Sequence, residues 1–165
     1  MSRAKALAWC ASLLSAALIL SYVEAVVPLG GYRIGLANIA VLIACHLLSR
    51  RMGLLVMAAR VLISSILFGS ATTFVFSIYG GLLAWCVMAV MLPFYGKISL
   101  IGISVLSAAA HNLGQVLAAC GVLASAAPLS MLWWLLLLAI PAGILTGLLA
   151  EVICRRVRPA GGGLL

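Results

Sequence analysis

Six apolar runs, separated by short connectors that hold most of the charge, leave this chain little choice of solvent. They cover residues 6–24, 34–49, 53–70, 73–93, 98–123 and 131–154. A bilayer's hydrocarbon core, about 30 Å thick, takes about 20 apolar residues per crossing helix. The second and third runs are short for that length, so they are expected to tilt or extend. Brief connectors favour antiparallel neighbours. Composition agrees: 67% of the 165 residues are hydrophobic and 7% are charged, where a soluble domain carries about 25% charged residues. There is too little polar surface to cover a water-soluble globule. The expected fold is all-α: a polytopic membrane protein with a six-helix transmembrane bundle. It forms one domain over residues 1–158, followed by a flexible C-terminal tail over 159–165. A cytosolic enzyme, a secreted disulfide scaffold and a disordered tail are excluded.

Charge sets the orientation. Ten basic residues stand against two acidic ones, Glu24 and Glu151, for a formal charge of +8. The basic residues sit singly or in pairs between apolar runs, without the patch that nucleic acid requires. With the N-terminus inside, Arg3, Lys5, Arg50, Arg51, Lys97, Arg155, Arg156 and Arg158 all fall on the cytoplasmic side. Arg33 alone falls outside, and Arg60 lies within a span. The positive-inside rule therefore selects N-in/C-in, in the cytoplasmic membrane. The first run exceeds a signal peptide's apolar stretch and no A-x-A site follows it, so it is expected to be a retained helix.

Polar groups within spans are costly and need partners or a water-filled cavity. Arg60 lies about 11 Å into the third span, counted from residue 53 at 1.5 Å per residue. A charge there costs about 2.5–3.5 kcal/mol on insertion scales. Two readings fit it: a buried ion pair or carbonyl cage between helices, or a cationic contact to an anionic ligand or a gating pair. Glu24 is either a solvated helix end or the counter-charge for Arg60 or Arg33. Depth counting places it well above Arg60, so direct pairing needs a shifted or broken helix. The stretch 24–38 holds Pro28, Gly30, Gly31 and Gly35 yet stays apolar. It is expected to fold back over the bundle as a lid. Asn38 then enters the second span near its outer end. His111 and Gln115, four residues apart, share one helix face with Asn112 beside them. These positions predict a polar level toward the outside, with Arg60 below it: a pocket opening outward. The candidate substrate-binding residues are Glu24, Asn38, Arg60, His111, Asn112 and Gln115.

Small residues recur every fourth position in the first run at Ala4, Ala8, Ser12 and Ala16. Such a ridge admits another helix closely, either within the bundle or from a partner subunit. Pro141, Gly143 and Gly147 give the last span a kink and a GxxxG face. Cys10, Cys45, Cys86, Cys120 and Cys154 are odd in number and widely spaced, which predicts neither a disulfide nor a zinc site. There is no Walker A motif and no aspartate. Two glutamates at opposite membrane faces cannot hold Mg²⁺ for diphosphate chemistry. The chain is not expected to be an enzyme or to carry a cofactor.

The runs Glu24-Ala … Pro28 … Ile34-Gly-Leu-Ala-Asn-Ile39, Arg60-Val-Leu-Ile, Phe76-Ser-Ile-Tyr-Gly-Gly81, Ile101-Gly-Ile-Ser-Val and Ala110-His-Asn-Leu-Gly-Gln115 carry a resemblance. Over roughly residues 10–150 the chain resembles the Gx transporter family, also labelled heptaprenyl diphosphate synthase component I. That family looks related to the substrate-binding S components of energy-coupling-factor (ECF) transporters. The resemblance implies six helices, a pocket near the outer face, and import of a small solute. It also implies that the small-residue first helix meets an ECF coupling subunit with two ATPases. The basic pocket favours an anionic solute, and membrane lipid is the surrounding partner. Two other readings stay open: a stand-alone carrier with Glu24 or His111 as its proton-coupling group, and a membrane accessory to a separate heptaprenyl diphosphate synthase subunit.

Overall fold

The computed structural model describes residues 3–26, 33 and 35–157. Six α-helices follow in order: α1 Arg3–Val26, α2 Asn38–Leu47, α3 Arg50–Phe68, α4 Ala71–Met91, α5 Leu100–Leu123 and α6 Leu132–Val157. Short 3₁₀ turns lie at Leu92–Phe94 and Ala127–Met131. No strand occurs among the described residues. Residues 27–32 and 34 of the expected lid, Arg158 and the expected 159–165 tail lie outside the described residues.

Serines begin three of the helices for a common reason. A helix leaves its first amides unpaired, and a hydroxyl just before it can accept from one. Ser49, Ser70 and Ser99 accept from the amides of Met52, Thr73 and Gly102. These caps fix where α3, α4 and α5 start.

Five helical segments are long and apolar enough to cross a membrane, so the chain is a multi-pass membrane protein. Their outward faces are apolar: Leu7, Ile19, Ile66, Leu137 and Val152 are all exposed. The interior is the more polar side, with Glu24, Arg33, Asn38, Arg60, His111, Asn112 and Gln115 buried. That inversion suits a chain dissolved in lipid, where the hydrophobic effect does not separate helix faces.

The second apolar run departs from expectation. Only ten of its residues, Asn38–Leu47, form a helix, which spans about 15 Å, half the hydrocarbon core. Residues 38–45 are all buried, and α2 touches each of the other five helices. It is apolar because protein surrounds it. Its shortness is tolerable for the same reason, since irregular backbone in a membrane must be shielded from lipid. Gly35, at φ 88°, makes the turn that leads into it.

Helices α4, α5 and α6 pack closely at glycines. A Cβ at Gly114 would lie 2.6 Å from the carbonyl oxygen of Tyr79 on α4. Cβ atoms at Gly143 and Gly147 would lie 2.5 Å and 2.7 Å from the Cα atoms of Val105 and Ile101 on α5. The GxxxG face expected of the last span is thus its contact with α5. Pro141 sits inside the continuous helix α6.

Candidate functional site

The site is built around the strap that descends into α2. Gly35 and Leu36 carbonyls accept from the amides of Asn38 and Ile39, closing the first turn. Three helices hold this strap by side chains. From α1, Glu24 Oε1 accepts from the Leu36 amide. From α5, Gln115 mimics a backbone unit: its Oε1 accepts from the Arg33 amide at 3.0 Å and its Nε2 donates to the Arg33 carbonyl at 2.8 Å. From α3, the Ser64 hydroxyl accepts from Arg33 Nη1 at 3.5 Å.

Beneath the strap lies Arg60, 1% exposed and among the largest fully buried side chains. Its Nη2 donates to Asn38 Oδ1 at 3.2 Å. Gly81 on α4 keeps the space beside it open, because a Cβ there would lie 2.9 Å from Met57 Sδ and 3.7 Å from Arg60 Nη2. The His111 ring lies between two other glycines. A Cβ at Gly80 would be 2.9 Å from its Nδ1, and a Cβ at Gly35 would be 3.2 Å from its Cδ2 and 2.9 Å from Asn38 Nδ2. Strap, α2, α3, α4 and α5 therefore converge on one small volume.

Several polar atoms in this volume have no hydrogen-bond partner. They are Glu24 Oε2, Asn38 Nδ2, Arg60 Nε and both ring nitrogens of His111. Each such atom costs about 1–3 kcal/mol when buried and unpaired. Glu24 forms no ion pair within 4.0 Å with Arg60 or Arg33; the ion pair seen among the described residues joins Arg155 and Glu151 at 2.6 Å. Glu24 and Arg60 share a site without neutralising each other through contact.

These facts divide the six candidate residues. Glu24, Asn38, Arg60 and His111 come together with unused polar atoms. Gln115 is committed to the Arg33 backbone and to Asn112. Asn112 donates to the Leu135 carbonyl at 2.6 Å and accepts from Gln115 Nε2 at 3.4 Å. Both lie at the site's edge and serve structure there. The expected layering also changes. Arg60 is ten residues into α3, and His111 eleven residues into α5, so each sits about 15–17 Å along its helix. Asn38 reaches Arg60 directly, so Arg60 is not a floor below an outer layer. Sequence reasoning missed Gly80 and Gly81 as parts of this volume. The Phe76–Gly81 run was their one signal.

The small-residue ridge points away from the bundle. Ala4, Ala8, Ser12 and Ala16 are exposed, while Leu13, Ala17, Ser21 and Glu24 face inward. The hydroxyls of Ser12 and Ser15 donate back to the carbonyls of Ala8 and Ala11. The ridge therefore presents no unpaired polar hydrogen to an apolar neighbour. A shallow groove of about 370 Å³ runs along it, lined by Lys5, Ala8, Trp9 and Ser12. No disulfide and no group of three metal-ligating side chains occurs among the described residues.

Residues 13–153 match the family described as heptaprenyl diphosphate synthase component I. No curated protein and no solved structure matches the chain. With most of its length matched, the chain belongs to the heptaprenyl diphosphate synthase component I family.

Proposed function

We propose that this membrane protein is a solute-binding transport subunit, similar to an ECF S component, that imports a small solute through a site reached from outside. The observation that carries the reading is the set of unpaired, buried polar atoms on Glu24, Asn38, Arg60 and His111. A chain that only packed helices would satisfy these groups or replace them with apolar ones. A bound solute supplies the missing partners. Asn112 and Gln115 then keep the strap in register over it.

In this reading α2 lies on one return crossing, which gives six passes. Lys5, Arg50, Arg51, Lys97, Arg155 and Arg156 then share one side, and the positive-inside rule puts both termini in the cytoplasm. The protein sits in the cytoplasmic membrane with lipid against its apolar faces. The solute enters from the outer side. The outward ridge at Ala4, Ala8, Ser12 and Ala16 is where an ECF coupling subunit with two ATPases docks. The chain itself performs no covalent chemistry.

The family description favours a second reading, a membrane accessory to a soluble heptaprenyl diphosphate synthase subunit. Purification from the protein's own host membrane in mild detergent, with the retained subunits identified by mass spectrometry, separates the two. A coupling subunit with two ATPases is the expected result. A bound Asp-rich synthase would replace the solute-binding reading with the accessory one.

A further inference from the structure

The charges in the site do not balance. Arg33, Arg60 and Glu24 are 6%, 1% and 5% exposed. With His111 counted neutral, two positive charges against one negative leave +1. An unmatched buried charge is costly, so the arrangement calls for an occupant of charge −1.

The unpaired atoms specify the chemistry at each end of that occupant. Arg60 Nε and Asn38 Nδ2 can only donate. Asn38 also opens α2, whose N-terminus brings the positive end of the helix dipole to this cluster, where it favours an anionic group. Glu24 Oε2, once ionised, can only accept. Whatever reaches it must bring a hydrogen. Its other oxygen is occupied by the Leu36 amide.

Resting on the solute-binding reading above, we infer that the occupant is a small monocarboxylate bearing a hydroxyl group. The carboxylate lies against Arg60 Nε and Asn38 Nδ2, and the hydroxyl donates to Glu24 Oε2. The His111 ring, held beside Gly35 and Gly80, flanks the Asn38 end. A dianionic phosphate would overshoot the charge. A zwitterionic amino acid would satisfy Glu24 and leave the +1 in place. A plain monocarboxylate would leave Oε2 without a hydrogen.

Thermal unfolding of the full chain in lipid nanodiscs tests this. The probes are sodium glycolate, acetate, glycine, inorganic phosphate and choline chloride at matched ionic strength. Glycolate is expected to stabilise at concentrations about tenfold lower than acetate, the effect of one hydrogen bond to a charged group. Choline is expected to do nothing. Arg60→Gln is expected to abolish the response to both carboxylates. Glu24→Gln, which presents an amide donor in place of Oε2, is expected to remove the glycolate preference and shift the response toward phosphate. If that variant does not fold, the wild-type ranking decides alone. Equal responses to glycolate and acetate, a preference for glycine, phosphate or choline, or no response to any probe would each overturn the assignment. None of these results touches the solute-binding reading itself, which the subunit purification judges separately.

Discussion

Two buried polar regions at similar depth follow opposite rules. Along the α5–α6 seam the buried polar side chains are partnered. The Ser104 and Thr146 hydroxyls meet at 2.8 Å, Thr146 also donates to the Ala142 carbonyl, and Ser107 donates to the Ile103 carbonyl at 2.7 Å. Asn112 is closed off by the Leu135 carbonyl. Around Arg60 the burial is as deep, yet five atoms on four side chains have no partner. A polar residue within a membrane span thus indicates a ligand only after its partners are counted. The seam's polar groups join helices, whereas those around Arg60 are left unpaired.

Substitutions should separate the two regions, and their effects can be ranked. The largest is expected at the seam, from Gly143→Val. Its Cβ would fall 2.5 Å from Val105 Cα, so α5 and α6 must part. Overpacking of this kind costs about 1–3 kcal/mol or more. The monodisperse peak in size-exclusion chromatography should be lost. Next comes Gln115→Leu, which strips partners from the Arg33 amide and carbonyl at about 1–3 kcal/mol each. The unfolding temperature should fall, and the amides of Arg33 and Leu36 should exchange hydrogen faster.

Arg60→Gln should act in the opposite sense. It removes a buried charge whose Nε has no partner, so stability without solute should hold or rise. Solute affinity should fall about tenfold or more, as expected for a lost charge-assisted hydrogen bond. Equilibrium binding alongside thermal unfolding would show this split. The smallest effect belongs to Thr146→Val, which keeps the side chain's shape and loses its hydrogen bonds. About 1 kcal/mol of stability should go, with solute binding unchanged. If Thr146→Val weakened binding as much as Arg60→Gln, the distinction between the two regions would collapse.

Much of this was legible in the sequence. The apolar runs locate α1 and α3–α6 to within a few residues, because each must cover a membrane's thickness. Glu24, Asn38, Arg60 and His111 stand out because charge and amide groups are rare in such runs. The true length of α2 was not legible. An apolar run reads the same whether lipid or protein surrounds it, and only the fold shows α2 enclosed by five neighbours. The roles of Gln115 and Asn112 were hidden for another reason. Their partners are backbone groups at Arg33 and Leu135, 82 and 23 residues away, and backbone atoms leave no mark on a sequence.

The central claim is that the unpaired atoms around Arg60 await a small molecule. Native mass spectrometry of the protein released from its own host membrane tests it most directly, with wild type, Arg60→Gln and Thr146→Val compared side by side. A small-molecule adduct present on wild type and Thr146→Val, and lost from Arg60→Gln, is the predicted result. An adduct that survives Arg60→Gln undiminished, or a wild-type chain that carries none, would contradict it.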